Sequence, residues 1–122
     1  MQRRAVLVLY DEGCRFCTAA ADALAVRGLR VAPIGSPLGA TWLRDLDREA
    51  RYAAFHAVDA AGRRRSGGAA VPVVLDALPG GRPLAALARA APRLTDAGYA
   101  LVARNRSVLS RLVRRASRVR AG

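Results

Sequence analysis

Apolar residues form short unbroken runs in the first half of the chain and helical stripes in the second. Residues 4–10 (RAVLVLY) are continuously apolar after the arginine, the pattern of a strand covered on both faces. Residues 11–13 break this run. From 14 to 27, Cys17, Ala20, Ala21, Leu24 and Ala25 recur at the spacing of one inward helical face, and Gly28 is placed to end that helix in a left-handed conformation. Residues 29–34 predict a second strand. Strand, helix and strand within about 30 residues make a βαβ unit, with parallel strands joined by a right-handed crossover.

Beyond it, GSPLGA at 35–40 is expected as a loop, with Thr41 capping a helix to about residue 50 that turns Trp42, Leu43 and Leu46 inward. Residues 51–58 predict a third strand, DAAG at 59–62 a hairpin turn, and RRRSG at 63–67 a basic edge segment whose arginines discourage edge-to-edge association. A helix over 69–78 accommodates Pro72 only in its first turn, where a missing N–H does no harm. PGGRP stops it, LAALARAA makes another helix ending near Pro92, and a last helix is expected over 95–119. The order βαβαββα with C-terminal helical additions is, by analogy, an α/β thioredoxin-like domain, a mixed sheet flanked by helices. With 122 residues and no repeat or long linker, residues 1–122 read as one domain with a basic helical extension from about 95 to 120.

Composition adds two constraints. Hydrophobic residues make up 52% but aromatic ones only 5%, so Ala, Val and Leu must fill the core. The net charge of +12 is carried by arginine alone, since the chain has no lysine, and it favours anionic partners without specifying one. The first ten residues resemble a secretory leader in their two arginines and apolar run. That run is too short for a leader or a membrane span and meets Asp11 and Glu12, so the chain is expected to be cytoplasmic, without a transmembrane segment. In a reducing compartment, two cysteines point to a reversible pair or free thiols.

Both cysteines, Cys14 and Cys17, lie in CRFC at the junction of the first strand and helix. A zinc site drawn from Cys14, Cys17 and His56 needs an acidic fourth ligand or a second chain, and the preferred reading holds no metal. A sulfur at a helix start lies near unpaired N–H groups and the positive end of the helix dipole, which favours a thiolate. Cys14 is therefore the expected attacking thiol and Cys17, one turn onward, the resolving one. Arg15 is expected to hold the thiolate and Asp11 and Glu12 to oppose it, while Phe16 lies between the two sulfurs in sequence as a substrate contact. The alternative is two inert core cysteines, for free Cys is among the most buried residue types.

YDEGCRFC resembles the signature of the DCC family of predicted thiol-disulfide oxidoreductases, through Asp11, Cys14 and Cys17. Similarity continues in FHAVDAAG, with Asp59 and Gly62, in Gly67, and in YALVARNR through Tyr99, Ala103, Asn105 and Arg106. Glu12 stands where the family has a glycine, which here follows at Gly13. Stretch 47–55 also lacks the proline that thioredoxins place before their third strand. The resemblance implies exchange with a disulfide or thiol substrate, a protein or glutathione, without a bound cofactor.

Asp11 is a candidate to take the proton of Cys17, or to fix the loop and cap the helix. His56, alone among apolar neighbours, is expected as a packed residue rather than a proton carrier. Seven arginines lie between 104 and 120, with no acid after Asp96. Arg111, Arg114, Arg115 and Arg118 fall outside the apolar stripe, so a non-catalytic adaptor that binds an anionic membrane or nucleic acid through this helix is the competing reading. A solvated basic end is its bland counterpart.

Overall fold

A computed structural model describes the backbone of residues 6–121 and the side chains of residues 6–116. The first strand, β1 (Leu7–Tyr10), runs parallel to β2 (Arg30–Pro33) and antiparallel to β3 (His56–Val58), which pairs antiparallel with β4 (Arg64–Ser66). The strand order is β2-β1-β3-β4, a mixed sheet compatible with the thioredoxin-like arrangement. Residues 4 and 5, assigned above to the first strand, lie outside the described residues.

The run VLVL divides its side chains between the two faces, as the period of two requires. Leu7 and Leu9 meet Ala32, Ile34, Leu43 and Val58 on one side, and Val6 and Val8 meet Leu29 and Ala77 on the other. Helix α1 (Arg15–Val26) covers the second face beside α4 (Val71–Ala77), with Leu24 and Val74 against that cluster. It ends as its sequence predicts: Gly28 takes φ 95°, Gly28 N–H donates to the Ala25 carbonyl and Leu29 N–H to that of Leu24.

The connection from β2 to β3 differs from the expected single helix capped by Thr41. It forms two short helices, α2 (Pro37–Trp42) and α3 (Arg48–Tyr52). Ser36 caps the first, its Oγ accepting from Gly39 N–H at 3.3 Å, and Pro37 supplies a preset first turn; Thr41 instead bonds back to the Pro37 carbonyl. Asp47 starts the second helix by accepting from Ala50 N–H at 2.8 Å. Leu43 is fully buried between them, whereas Trp42 is 36% exposed rather than inward. Because α3 absorbs residues 51 and 52 and residues 53–55 are irregular, the third strand is three residues long, not eight.

Asp59 closes the β3–β4 turn, its Oδ1 accepting from the N–H groups of Ala61 and Arg63. After a 3-10 turn over Gly67–Ala70, Pro72 sits in the first turn of α4, as expected. Helix α5 (Arg82–Ala90) follows, and Pro92 opens α6 (Pro92–Arg104) rather than merely ending its predecessor. The predicted helix 95–119 is thus interrupted: Asn105 caps α6, its side chain donating to the Leu101 carbonyl, and α7 (Arg106–Ala121) starts immediately after it. Helix α6 packs on the 3-10 turn and α7 returns to α1, so α7 borders the first helix of the chain.

Candidate functional site

Cys14 is the N-cap of α1, in extended conformation, and its Sγ accepts the N–H of Cys17 at 3.3 Å. A thiol here occupies the position usually held by Ser, Thr or Asp, so its sulfur faces the unpaired amides of the first turn. The Cys14 carbonyl already accepts from Thr18 N–H and hydroxyl, which anchors the cap to the helix. Both cysteines are free and half-buried. The preceding loop is held by Asp11, whose Oδ1 accepts from Gly13 N–H at 2.8 Å and whose carbonyl accepts from Cys14 N–H at 3.2 Å.

Helix α7 completes the site. Phe16 N–H, the next free amide of the helix start, donates to Ser110 Oγ of α7 at 3.2 Å. Arg106, first residue of α7, places its Nη1 3.9 Å from Asp11 Oδ2 and donates from Nε to the Ala103 carbonyl at 3.3 Å. Burial pushes the Cys17 thiol up to about 11, the adjoining Cys14 sulfur adds to the rise, and the Arg106 guanidinium pulls it back by hydrogen bond and charge. Burial acts against the Arg106 charge, but the sulfurs of Cys17 and Cys14 hold it above its ordinary value. Burial likewise raises Tyr99, whose hydroxyl meets the backbone of Phe55.

Of the residues singled out in the sequence, Asp11, Cys14, Phe16 and Cys17 come together at this end of the sheet, while Arg15 is exposed on the first turn of α1. Glu12 is committed elsewhere: Gly35 N–H donates to its Oε2 at 3.2 Å and the Tyr52 hydroxyl to its Oε1. Although desolvation works the other way, those bonds hold its carboxyl below the usual range. His56 is buried with both ring nitrogens engaged, by Ser66 Oγ at 2.6 Å and the Arg51 carbonyl at 2.8 Å. Arg111, Arg114 and Arg115 are exposed on α7, and the side chain of Arg118 lies outside the described residues.

Ser110 carried no signal in the sequence, and Arg106 stood out only as part of the YALVARNR match, without a role. Among the described residues, no group of three or more His, Cys, Asp or Glu is placed to hold a metal ion. No helix among them is long and apolar enough to cross a membrane.

Beside Cys17 opens a cleft of about 590 Å³ between α1 and α6, floored by Val8 and Phe55 of the sheet region and Val74 of α4. Its walls are mainly apolar, and Asp11, Cys17 and Arg106 gather at one end. A dithiol whose first sulfur caps a helix and whose second borders a cleft is suited to nucleophilic attack on sulfur followed by intramolecular closure. The family model for the DCC1-like thiol-disulfide oxidoreductases matches residues 8–112. No curated protein and no solved structure matches the chain.

Proposed function

Since the chain belongs to the DCC1-like thiol-disulfide oxidoreductase family, we propose that it works through Cys14 and Cys17 on a thioredoxin-like scaffold. Cys14 attacks a substrate disulfide RSSR, forming the mixed disulfide Cys14–S–S–R and releasing RS⁻. Cys17 then loses its proton and attacks the Cys14 sulfur, which breaks the mixed disulfide, releases the second RS⁻ and leaves a Cys14–Cys17 disulfide. Two electrons pass from the protein to the substrate, and an external thiol or dithiol returns them.

The observation that carries this reading is the Cys14 sulfur seated as helix cap and accepting the Cys17 amide. That amide, reinforced by the helix start, stabilises negative charge on the sulfur it meets. At neutral pH the Cys17 sulfur is almost wholly protonated, with its thiol pushed up to about 11, which reserves the first attack for Cys14. Arg106 is a positioning residue that eases the later ionisation of Cys17, and Asp11, facing Arg106 across 3.9 Å, is the carboxylate at hand for the proton. A dithiol that must cycle back to its reduced form suits a reducing compartment, and the cytoplasm is the proposed one.

Purified protein with hydroxyethyl disulfide and a thiol reductant provides the test. Cys14→Ser is expected to abolish exchange, and Cys17→Ser to halt it at a mixed disulfide visible as added mass. Turnover that survives Cys14→Ser would sink the assignment of the attacking sulfur, and turnover that survives Cys17→Ser points to a monothiol route through glutathione.

A further inference from the structure

The cleft beside Cys17 is larger than the attack on a bare disulfide needs. At about 590 Å³ it lies within the range of small-molecule sites. Its polar groups are distributed unevenly. Deep in it, the Thr95 hydroxyl donates to the Ala88 and Ala91 carbonyls, and Tyr99 packs its ring against that of Phe55. An occupant there meets chiefly apolar side chains, among them Val8, Leu24, Val74 and Val102. At the redox end the reverse holds. The Arg106 guanidinium is partly exposed, and its separation of 3.9 Å from Asp11 is too long for a direct hydrogen bond, so an anion can be received there.

Resting on the dithiol reading above, we propose that this cleft selects low-molecular-weight amphipathic disulfides whose reacting sulfur carries, within a few bonds, an anionic group for Arg106 and an apolar chain for the cleft. Cys14, one hydrogen bond from the Cys17 amide, attacks at the mouth while the chain lies along the gap between α1 and α6. Glutathione disulfide fits poorly. Its peptide groups and second carboxylate would be drawn against mainly apolar walls, at the cost of their hydration.

Disulfides of N-acylcysteines, from acetyl through butanoyl and hexanoyl to octanoyl, test this cleanly. The sulfur, its leaving-group chemistry and the carboxylate stay constant while only the chain grows. With each added methylene buried, kcat/KM is expected to rise about twofold to fourfold, the upper figure corresponding to ~0.8 kcal/mol per CH₂. N-octanoylalanine, which has no sulfur, is expected to bind in calorimetry and to compete with the octanoyl substrate, and Arg106→Gln to weaken its binding.

Gly98 lines the cleft, and a Cβ added there meets nothing within 4 Å. Gly98→Leu is therefore expected to fold and to shrink the octanoyl-to-acetyl ratio measured within the variant. A flat response to chain length, with hydroxyethyl disulfide still reduced, overturns this inference and leaves the oxidoreductase standing. No exchange with any disulfide sinks the proposed function instead, and binding of N-octanoylalanine then decides the cleft alone: no detectable binding refutes it.

Discussion

Replacing Arg106 by Gln removes the positive charge beside Cys17 while keeping a polar side chain at the start of α7. A hydrogen bond to a charged group contributes roughly 1.5–3 kcal/mol. With the Arg106 side chain 34% exposed, solvent screening reduces the effect to the order of 1 kcal/mol. At ~1.36 kcal/mol per pKa unit, Cys17 should rise by about 0.7 unit. From a thiol already at about 11, this leaves about fivefold less thiolate at neutral pH, yet a more basic thiolate is also a stronger nucleophile. With a Brønsted coefficient of about 0.4–0.5, the intrinsic gain is about twofold, so closure of the mixed disulfide should slow by about two- to threefold. Two measurements separate the parts. Ultraviolet titration of the thiolate in a Cys14→Ser background reads the shift directly, and quenched-flow trapping of the mixed disulfide reads closure. Arg106→Lys should restore part of both. A Cys17 midpoint that stays in place or falls in Arg106→Gln would refute the role given to the guanidinium.

Three further expectations concern the scaffold. His56 donates from Nε2 to the Arg51 carbonyl and shares a hydrogen bond at Nδ1 with Ser66 Oγ, and burial holds its pKa below the ordinary value. The stability it contributes is present above its unfolded value of about 6.5 and is lost as pH falls through the lower folded one; an NMR midpoint above about 6.5 contradicts this. Leu43→Ala, at a fully buried position, should cost about 3 kcal/mol in urea unfolding with an unchanged slope, and a loss under about 1 kcal/mol would show that the site collapses. Gly→Ala should have opposite signs at two helical sites. At Gly39 the added carbon falls 1.9 Å from the Ile34 carbonyl oxygen and destabilises by about 1–3 kcal/mol, whereas at Gly98 it enters open space and stabilises by roughly 0.5–1 kcal/mol; equal thermal shifts would rule out this packing.

What could be read from the chain follows the reach of the rules used. The apolar run of β1, the glycine stop of α1, the DAAG turn and the place of Pro72 depend on neighbours a few residues apart, and all four occur as expected. The segment 35–52 went astray where two caps competed with a helical stripe. Ser36 before Pro37 and Asp47 before Arg48 each start a helix, and the periodicity of Trp42, Leu43 and Leu46 cannot show that the chain turns between them. The break within residues 95–119 is hidden for a related reason: the apolar stripe continues across Asn105, while α6 packs on the 3-10 turn and α7 on α1, contacts between segments far apart in the chain. The pair Cys14 and Cys17 was legible from spacing, but the contacts of Arg106 and Ser110 depend on which face of a remote helix reaches the first one.

Phe16 and Ser110 are 94 positions apart in the chain yet share a hydrogen bond at the first turn of α1. Translation therefore brings both sulfurs out of the ribosome well before the residues that flank them in the finished protein. A nascent or C-terminally clipped chain ending before Asn105 retains the two thiols but lacks Arg106 to oppose the protonation of Cys17 and Ser110 to engage the Phe16 amide. The chemistry of this corner matures only once residues 106–110 have been made and have docked on α1.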